Sequence, residues 1–494
     1  MQTEKKIIPI KRAWQAAEIT TLLQSWVTSP RPVDHDIRTG LKIIRTRARD
    51  AAQNSDHARQ FLGLVKANVV GRKGVSLQAK NKQRNGKLAQ RVNEAVEQWW
   101  KAWNRRGACD VTGKLSGVDL QRMVIETVAR DGECIVRYVN YWGNDHAFAV
   151  QIIDPEALDV DYNADLPSGN LVRMGVEMDD WRRPVAYHLR GEPGPNRPSY
   201  QSAERARVPA DEIAHLYLPE WVWQTRGVPW MATALHRIKM LSGYEDAAVT
   251  AARAGAAKMG FYKPSEEVMP TSQYNTGERQ ADGSLAQEMD AGQLEVLPPG
   301  YDFQGWDPTY PHTDYADFIK AVLRSIAAGL GVSYNALASD LEGVNYSSLR
   351  SGALQERDLW MMLQDWFIEA FLQPLFDRWL YVQLALGRLT EFTGSQYTPE
   401  RIGALERVTW QARRWPWVDP LKDMQANREA IDLRVTSISR IIREQGEDPE
   451  EVWQELANDR EMLASLGLEQ TAPSASAAKQ SEQEEPANGE DEDR

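Results

Sequence analysis

The chain has 494 residues, 42% of them hydrophobic, and a formal net charge of −12. That length buries a sizeable core and fits about two to four domains, while the acidic balance argues against tight, general binding of nucleic acid, which basic proteins commonly perform. A mean hydropathy of −0.54 with 26% charged residues describes a soluble protein, and no apolar run reaches the roughly 18 residues that span a bilayer.

The first residues, MQTEKKIIPIKRAWQ, lack the apolar stretch and small-residue cleavage site of a secretory signal, so a cytoplasmic origin is expected. Residues 1–35 read as an N-terminal arm: a helix over AWQAAEITTLLQSWV, closed by SPRPVD, where Pro30 and Pro32 stop it. From Asp36 to Asn68 the pattern is helical again, with Leu41, Ile44, Phe61, Leu62, Leu64 and Val65 at helical spacing. Asp34, His35 and Asp36 at its start are expected to be a cap and a solvated turn rather than a catalytic or metal cluster. VVGRKGVSLQAK is β-branched and glycine-punctuated and reads as strand.

LAQRVNEAVEQWWKAWNRR reads as a helix whose Leu88, Val92, Val96, Trp99, Trp100 and Trp103 form one strongly anchored face. VDLQRMVIETVARDG is another helix, ending at Gly132. Strands then dominate in ECIVRYVNYW, FAVQIIDPEALDV, NLVRMGVEMDD, PVAYHLRG and DEIAHLYLP, which together predict a compact α+β body. After RGVPW, one alanine-rich helix of about 25–30 residues would extend near 40 Å at about 1.5 Å per residue. Lys263–Thr309 is broken by glycine and proline, with one strand expected in GQLEVLPPG. It is a small excursion with little core of its own, and packing against copies of itself would stabilise it.

His312–Arg378 is the most informative stretch. A helix (HTDYADFIKAVLRSIAAGL) leads into a loop with no basic residue (GVSYNALASDLEGVNYSS), and a second, longer helix follows (LRSGALQERDLWMMLQDWFIEAFLQPLFDRW). That helix carries Leu349, Leu354, Leu359, Leu363, Trp366, Phe367, Phe371 and Leu375 near helical spacing, and Pro374 inside the pattern predicts a kink or break. Two helices bracketing such a loop can hold it rigidly against something that moves past. Further helices follow in EAIDLRVTSISRIIREQ and DPEEVWQELANDREMLASLG, the latter opening on an Asp448-Pro449 start. Residues 469–494 are acidic, lack apolar content and are expected to be disordered.

Enzyme chemistry finds no support in the residues. The seven histidines are scattered, without a pair at metal-ligand spacing. Phosphate-binding GxxxxGK[ST], GxSxG, HExxH and dinucleotide fingerprints are absent. Cys109 and Cys134 fit free core thiols in a reducing compartment. No catalytic residue, metal site or cofactor is therefore expected. Eighteen tryptophans suit large subunit interfaces or a big core with aromatic anchors.

Five segments, in order, resemble the lambda-like phage portal proteins: IRTRARDAAQNSDHARQFLGLVKANVVGRKGVSLQA, ARDGECIVRYV, IIDPEAL, RGVPWMATALHRIKMLSGYEDAAVTAARAGAAKMGF, and DYADFIKAVLRSIAAGLGVSYNALASDLEGVNYSSLRSG. They cover roughly residues 36–380. The resemblance implies a portal fold: a wing over 36–230 and 379–417, a first stem helix at 231–260, a clip at 261–309 and a second stem helix at 310–331. A tunnel loop at 332–349, a long kinked helix at 350–378 and a helical crown at 418–468 would complete it. It also implies a virion component, assembled in the host cytoplasm and placed at one capsid vertex. There it would form a homo-oligomeric ring, usually of twelve subunits, through which double-stranded DNA passes without sequence preference. Large terminase, major capsid and scaffold proteins, and head-tail adaptors would be its partners, with no membrane contact.

On that plan Asp340, Glu342, Gly343, Val344, Asn345, Tyr346 and Ser347 would face DNA in the tunnel loop. Lys239, Arg253, Lys258, Lys320 and Arg324 on the stem helices would face either the channel or neighbouring stems. Tyr274, Arg279 and Trp306 in the clip would meet partners. Duplex DNA carries one negative charge per about 1.7 Å of axis, so a ring of lysines at a constriction would hold it. No Lys or Arg stands between Ser325 and Leu349, and a neutral-to-acidic loop keeps sliding fast. The basic stretch Arg38–Arg91, with Arg45, Arg47 and Arg49, either touches packaged DNA or pairs with acidic surface. A DNA-packaging enzyme and a neck adaptor are the rivals. The missing phosphate loop counts against the first, and the chain's length and helix–loop–helix order against the second.

Overall fold

The stripe Ile37, Leu41, Arg45 and Ala48, spaced by three and four residues, turns the helix Val33–Asn54 (α1) toward a buried neighbour. In this computed structural model the residues described are 21, 27–81, 89–191, 204–256, 260–264, 278–279, 285–286, 301–305, 315–342, 346–388, 407–415, 420–445 and 449–466. The helix expected at the N-terminus, the strand expected in GQLEVLPPG, Asp448 and the acidic tail lie outside them. The chain divides into two compact units, one of residues 1–65, 123–139 and 150–344, the other of residues 66–122, 140–149 and 345–494.

In the first unit α1 is followed by Asp56–Val65 (α2). The expected cap is corrected here. The residue before α1 is Pro32, with no side-chain cap, and Asp34 instead accepts hydrogen bonds from the Thr225 backbone N–H at 2.9 Å and its hydroxyl at 2.6 Å. A carboxylate in a first helical turn is favourable in either role; here the tertiary contact takes it.

Glu133–Asn140 (β2) pairs antiparallel with Ile213–Tyr217 (β9), with Ile135 opposite His215, in a three-stranded sheet whose other edge is Phe148–Ile153 (β3). A second sheet is an antiparallel meander of Ala164–Asp165 (β4), Leu171–Arg173 (β5), Val176–Met178 (β6), Pro184–Arg190 (β7) and Arg205–Pro209 (β8). Ile135, Leu158, Val176, Met178, Tyr187, Leu189, Val208 and Ile213 pack into one core cluster. β8 escapes a reading by alternation because only Val208 of its five residues is buried. A charged edge strand of this kind resists pairing with other chains.

Leu235–Ala256 (α5) spans 22 residues, about 33 Å, and begins four residues later than expected because Met231–Ala234 form turns. After it, Gly260–Pro264 (β10) pairs antiparallel with Tyr301–Gly305 (β13), and Glu278–Arg279 (β11) with Leu285–Ala286 (β12). These strands were not legible in the glycine- and proline-broken sequence. Tyr315–Leu330 (α6) follows. The loop expected over 332–349 contains a short helix, Tyr334–Ala338 (α7), and its last residues belong to the next helix, Tyr346–Phe367 (α8).

The second unit holds α8, Gln90–Trp103 (α3), and the antiparallel pair Ser76–Ala79 (β1) with Val408–Gln411 (β14). The tryptophans of α3 are core anchors: Trp100 lies 4.9 Å from Trp103, 5.1 Å from Trp379 and 5.5 Å from Phe376, ring centre to ring centre. The indole N–H of Trp103 donates to the Phe148 carbonyl at 2.9 Å, which satisfies its polar edge inside the core. Pro374 produces the expected interruption. Residues Ile368–Leu372 form a π-helical turn, Gln373 N–H reaching back to the Ile368 carbonyl, before Gln373–Ala385 (α9) continues. Proline cannot donate to the carbonyl four residues back and its ring crowds that carbonyl, so the chain widens by one residue just ahead of it. The helix runs seven residues beyond the predicted end at 378. Helices Pro420–Asp432, Ile438–Glu444 and Pro449–Ser465 close the described chain.

Candidate functional site

Four of the five resemblance-bearing segments, the first of them through α1, meet in one buried ion network. Glu133, at the start of β2, accepts from Arg45 of α1 at 2.8 Å, from Arg226 Nε at 3.0 and 2.9 Å, and from the Gly227 backbone N–H at 3.1 Å. His215 Nε2 lies 2.9 Å from its second oxygen. The side chains of Glu133, Arg45 and Arg226 are all 0% exposed. Remaining donors are used: Arg226 Nη1 donates to the Leu158 and Met174 carbonyls, and Arg45 to the Asp131 carbonyl and Glu156. Asp131 is gripped by Arg49 and Arg130, and Arg49 also reaches Asp154 at 2.6 Å.

Burial alone pushes Glu133 up, yet Arg226 foremost, then His215 and Arg45, hold it well below the usual carboxylate range. Two glycines make the convergence possible. Gly132 sits at φ +90, where a Cβ would meet the Val228 carbonyl carbon at 2.4 Å, and a Cβ on Gly227 would lie 2.1 Å from the Gly132 oxygen. A second acid, Glu177 of β6, accepts two bonds from Arg207 at 2.8 and 3.0 Å and one from Asn170 at 2.8 Å, with His188 at 3.1 Å. Arg207 chiefly holds it down at about 2.

The helices α5 and α6 pack antiparallel. Thr233 donates to the Gly329 carbonyl at 3.0 Å near one end, and toward the other Tyr244 stacks on Tyr315 at 5.8 Å with Phe318 edge-on at 5.1 Å. Beyond α6 the chain turns at Gly331 (φ +69), and Ser333 caps α7 by accepting from Ala336 N–H. Gln60 of α2 donates to the Ala336 carbonyl at 3.1 Å, and Leu337 is buried. Ser339 ends α7 in the left-handed region (φ +53). Tyr334 then donates to Asp340 at 2.7 Å, and Glu342 N–H donates to the other Asp340 oxygen at 2.9 Å. The Glu342 amide first, and the tyrosine second, keep Asp340 below the ordinary carboxylate range. Arg324 lies over the Tyr334 ring at 5.4 Å, and Lys320 donates to Glu342 at 3.4 Å. Two cations of α6 thus offset the two acids of the loop.

A model of the phage portal proteins of the lambda family matches residues 20–364. A probable portal protein of Halomonas phage phiHAP-1 is 36% identical over 472 residues, 94% of this chain and 90% of that one. The chain belongs to the lambda family of phage portal proteins. Portal protein B of Escherichia phage lambda is 21% identical over 484 residues, 92% of this chain and 90% of that one. One chain in the solved neck of a native gene transfer agent particle, with C12 symmetry, is 15% identical with a TM-score of 0.39, covering 86% of this chain and 95% of that chain. That likeness is too slight to bear on the fold.

In this portal protein Asp340, Glu342, Lys320 and Arg324 gather at the base of the loop, whereas Lys239 and Arg253 stand exposed on α5. Tyr346 and Ser347 open α8, and Arg279 lies in β11; their side chains, together with Gly343, Val344, Asn345, Lys258, Tyr274 and Trp306, lie outside the described residues. Of the basic stretch, Arg45 and Arg49 pair with acids, and Arg47 is exposed. Sequence reading passed over the Glu133 network. Its one visible signal is Arg45 itself, an arginine standing in the apolar stripe of α1, where only a buried anion makes the position tolerable.

Proposed function

We propose that copies of this chain close into a ring, twelve by family resemblance, at one capsid vertex, and that double-stranded DNA enters and leaves through its bore. Membership of the portal family over most of the chain carries this reading. On it, the α/β body and residues 379–417 are the wing, α5 and α6 the stem, residues 261–309 the clip and residues 418–468 the crown. Large terminase and head-tail adaptors dock at the clip, and major capsid and scaffold proteins surround the ring in the virion. A closed ring joins two different faces of each subunit.

The loop base supports a passive bore. Lys320 and Arg324 are the nearest cations on the N-terminal side of the loop, and both are engaged by loop residues, while Arg350 follows it within α8. A phosphate passing the loop therefore meets little net charge, and sliding meets little electrostatic drag. Electron micrographs of the purified protein test the reading: rings with a central hole wide enough for B-form DNA are expected. Particles without a bore, or solely monomers at micromolar concentration, would overturn it.

A further inference from the structure

The loop between β9 and α5 is turned inside out. Gln224 is buried, while Trp221, Val222 and Trp223 are 63%, 82% and 72% exposed. The buried glutamine holds the loop from within: Glu220 and Trp221 backbone N–H groups donate to its oxygen at 2.9 and 3.1 Å, and its amide donates to the Arg226 carbonyl at 2.8 Å. Tyr217 hydroxyl donates to the Gln224 carbonyl at 2.9 Å, and Thr225 is tied to Asp34. Arg226 and Gly227 then enter the Glu133 network, so the loop is anchored directly to those buried hydrogen bonds. Trp223 takes φ +66, a conformation a bulky side chain rarely adopts.

Beside it stands the β6–β7 turn. Asp179 accepts from the Trp181 and Arg183 backbone N–H groups at 2.9 and 2.8 Å, leaving Trp181 83% exposed. The Arg182 guanidinium lies 5.7 Å from the centre of the Trp223 ring and 3.4 Å from Asp34, which joins the two loops into one surface.

Such a preorganised aromatic display costs little side-chain entropy on binding and has the composition of an interface hot spot. At about 150–250 Å² for a whole aromatic side chain, the three indoles and Val222 hold roughly 500 Å² of apolar surface in solvent. A standard interface takes about 800 Å² from each partner. We infer that Trp181 and Trp221–Trp223 form one of the two faces by which each subunit meets the next, and that a second copy of this chain covers them. The inference rests on the ring reading above. A ring offers every copy an identical neighbour, so a contact made through this patch covers it on every chain. The mixed rim of Asp180, Arg183 and Glu220 suits a heterologous contact with fixed register.

The test uses the full chain, as wild type and as the combined Trp181→Ala, Trp221→Ala and Trp223→Ala variant, in sedimentation velocity. Rings from the wild type and monomers or short arcs from the variant, with unchanged circular dichroism, are expected; variant rings that persist down to the same protein concentration as those of the wild type would overturn the inference. Val222→Cys gives a second readout, since the native Cys109 and Cys134 are both buried. Maleimide labelling at 222 should slow at least tenfold in rings relative to monomers. Equal rates would mean the patch faces solvent or another partner, and would overturn it. A wild type that never forms rings removes the ring reading itself, a result distinct from rings that ignore the tryptophans.

Discussion

The Glu133 network and the base of the loop use the same residue types under opposite conditions. Glu133, Arg45 and Arg226 are sealed from water, and both Glu133 oxygens accept more than one hydrogen bond. At the loop, Glu342 is 83% exposed and its bond to Lys320 is long at 3.4 Å. A buried pair fixes geometry, because breaking it strands a charge in a medium that cannot solvate it. An exposed pair fixes little and can be rearranged cheaply. Burial, not the count of ion pairs, decides which of the two is scaffold and which is adjustable.

The sharpest way to break the comparison is Glu133→Gln, which leaves the buried Arg226 without its anion and Arg45 with Glu156 alone. A loss of about 3–5 kcal/mol is expected in the first unit, read as a large fall in thermal midpoint by scanning calorimetry. Gly227→Ala drives a methyl into the Gly132 carbonyl and should cost about 1–3 kcal/mol or more, read in the same scan. Acid gives a third test with a fixed sign. Glu177 is held at about 2 against an ordinary 4.5, and Glu133 and Asp131 are also depressed. Their stabilisation is complete above the ordinary carboxylate range and is lost as the pH falls from about 4.5 toward about 2. Glu177→Gln should flatten that fall in a pH series of melting curves. Lys320→Ala, the mildest, should change stability by less than about 1 kcal/mol. Its expected effect is on DNA passage, measured as packaging rate in an assembly reaction, since Glu342 is then left as an unopposed negative charge.

Much of the α+β plan was legible because periodicity survives wherever one face is buried. The stripes of α1 and α3 show it, whereas β2 and β7 were legible as short β-branched and aromatic runs buried on both faces. What escaped has physical causes. β8 is a charged edge with one inward residue, β10–β13 are short and punctuated by glycine and proline, and α7 is a five-residue helix whose one signal is the Ser333 cap. Of the proposed loop site, the sequence carries the composition but not the geometry. The absence of basic residues in the loop is visible in the sequence. The compensation of Asp340 and Glu342 by Lys320 and Arg324 bridges up to 22 positions and two turns, which no spacing rule encodes.

The ladder between β10 and β13 runs from Gly260 opposite Gly305 to Pro264 opposite Tyr301. It joins the chain that leaves α5 to the chain that enters α6, so on the stem and clip reading proposed above it would act as a clasp at the neck of the insertion. On that reading, a change of length or chemistry between the two strands would leave the spacing of the helices that flank them unaltered. If the clip is where packaging proteins dock, as proposed, such an exchange of partner would not require the pore to be rebuilt.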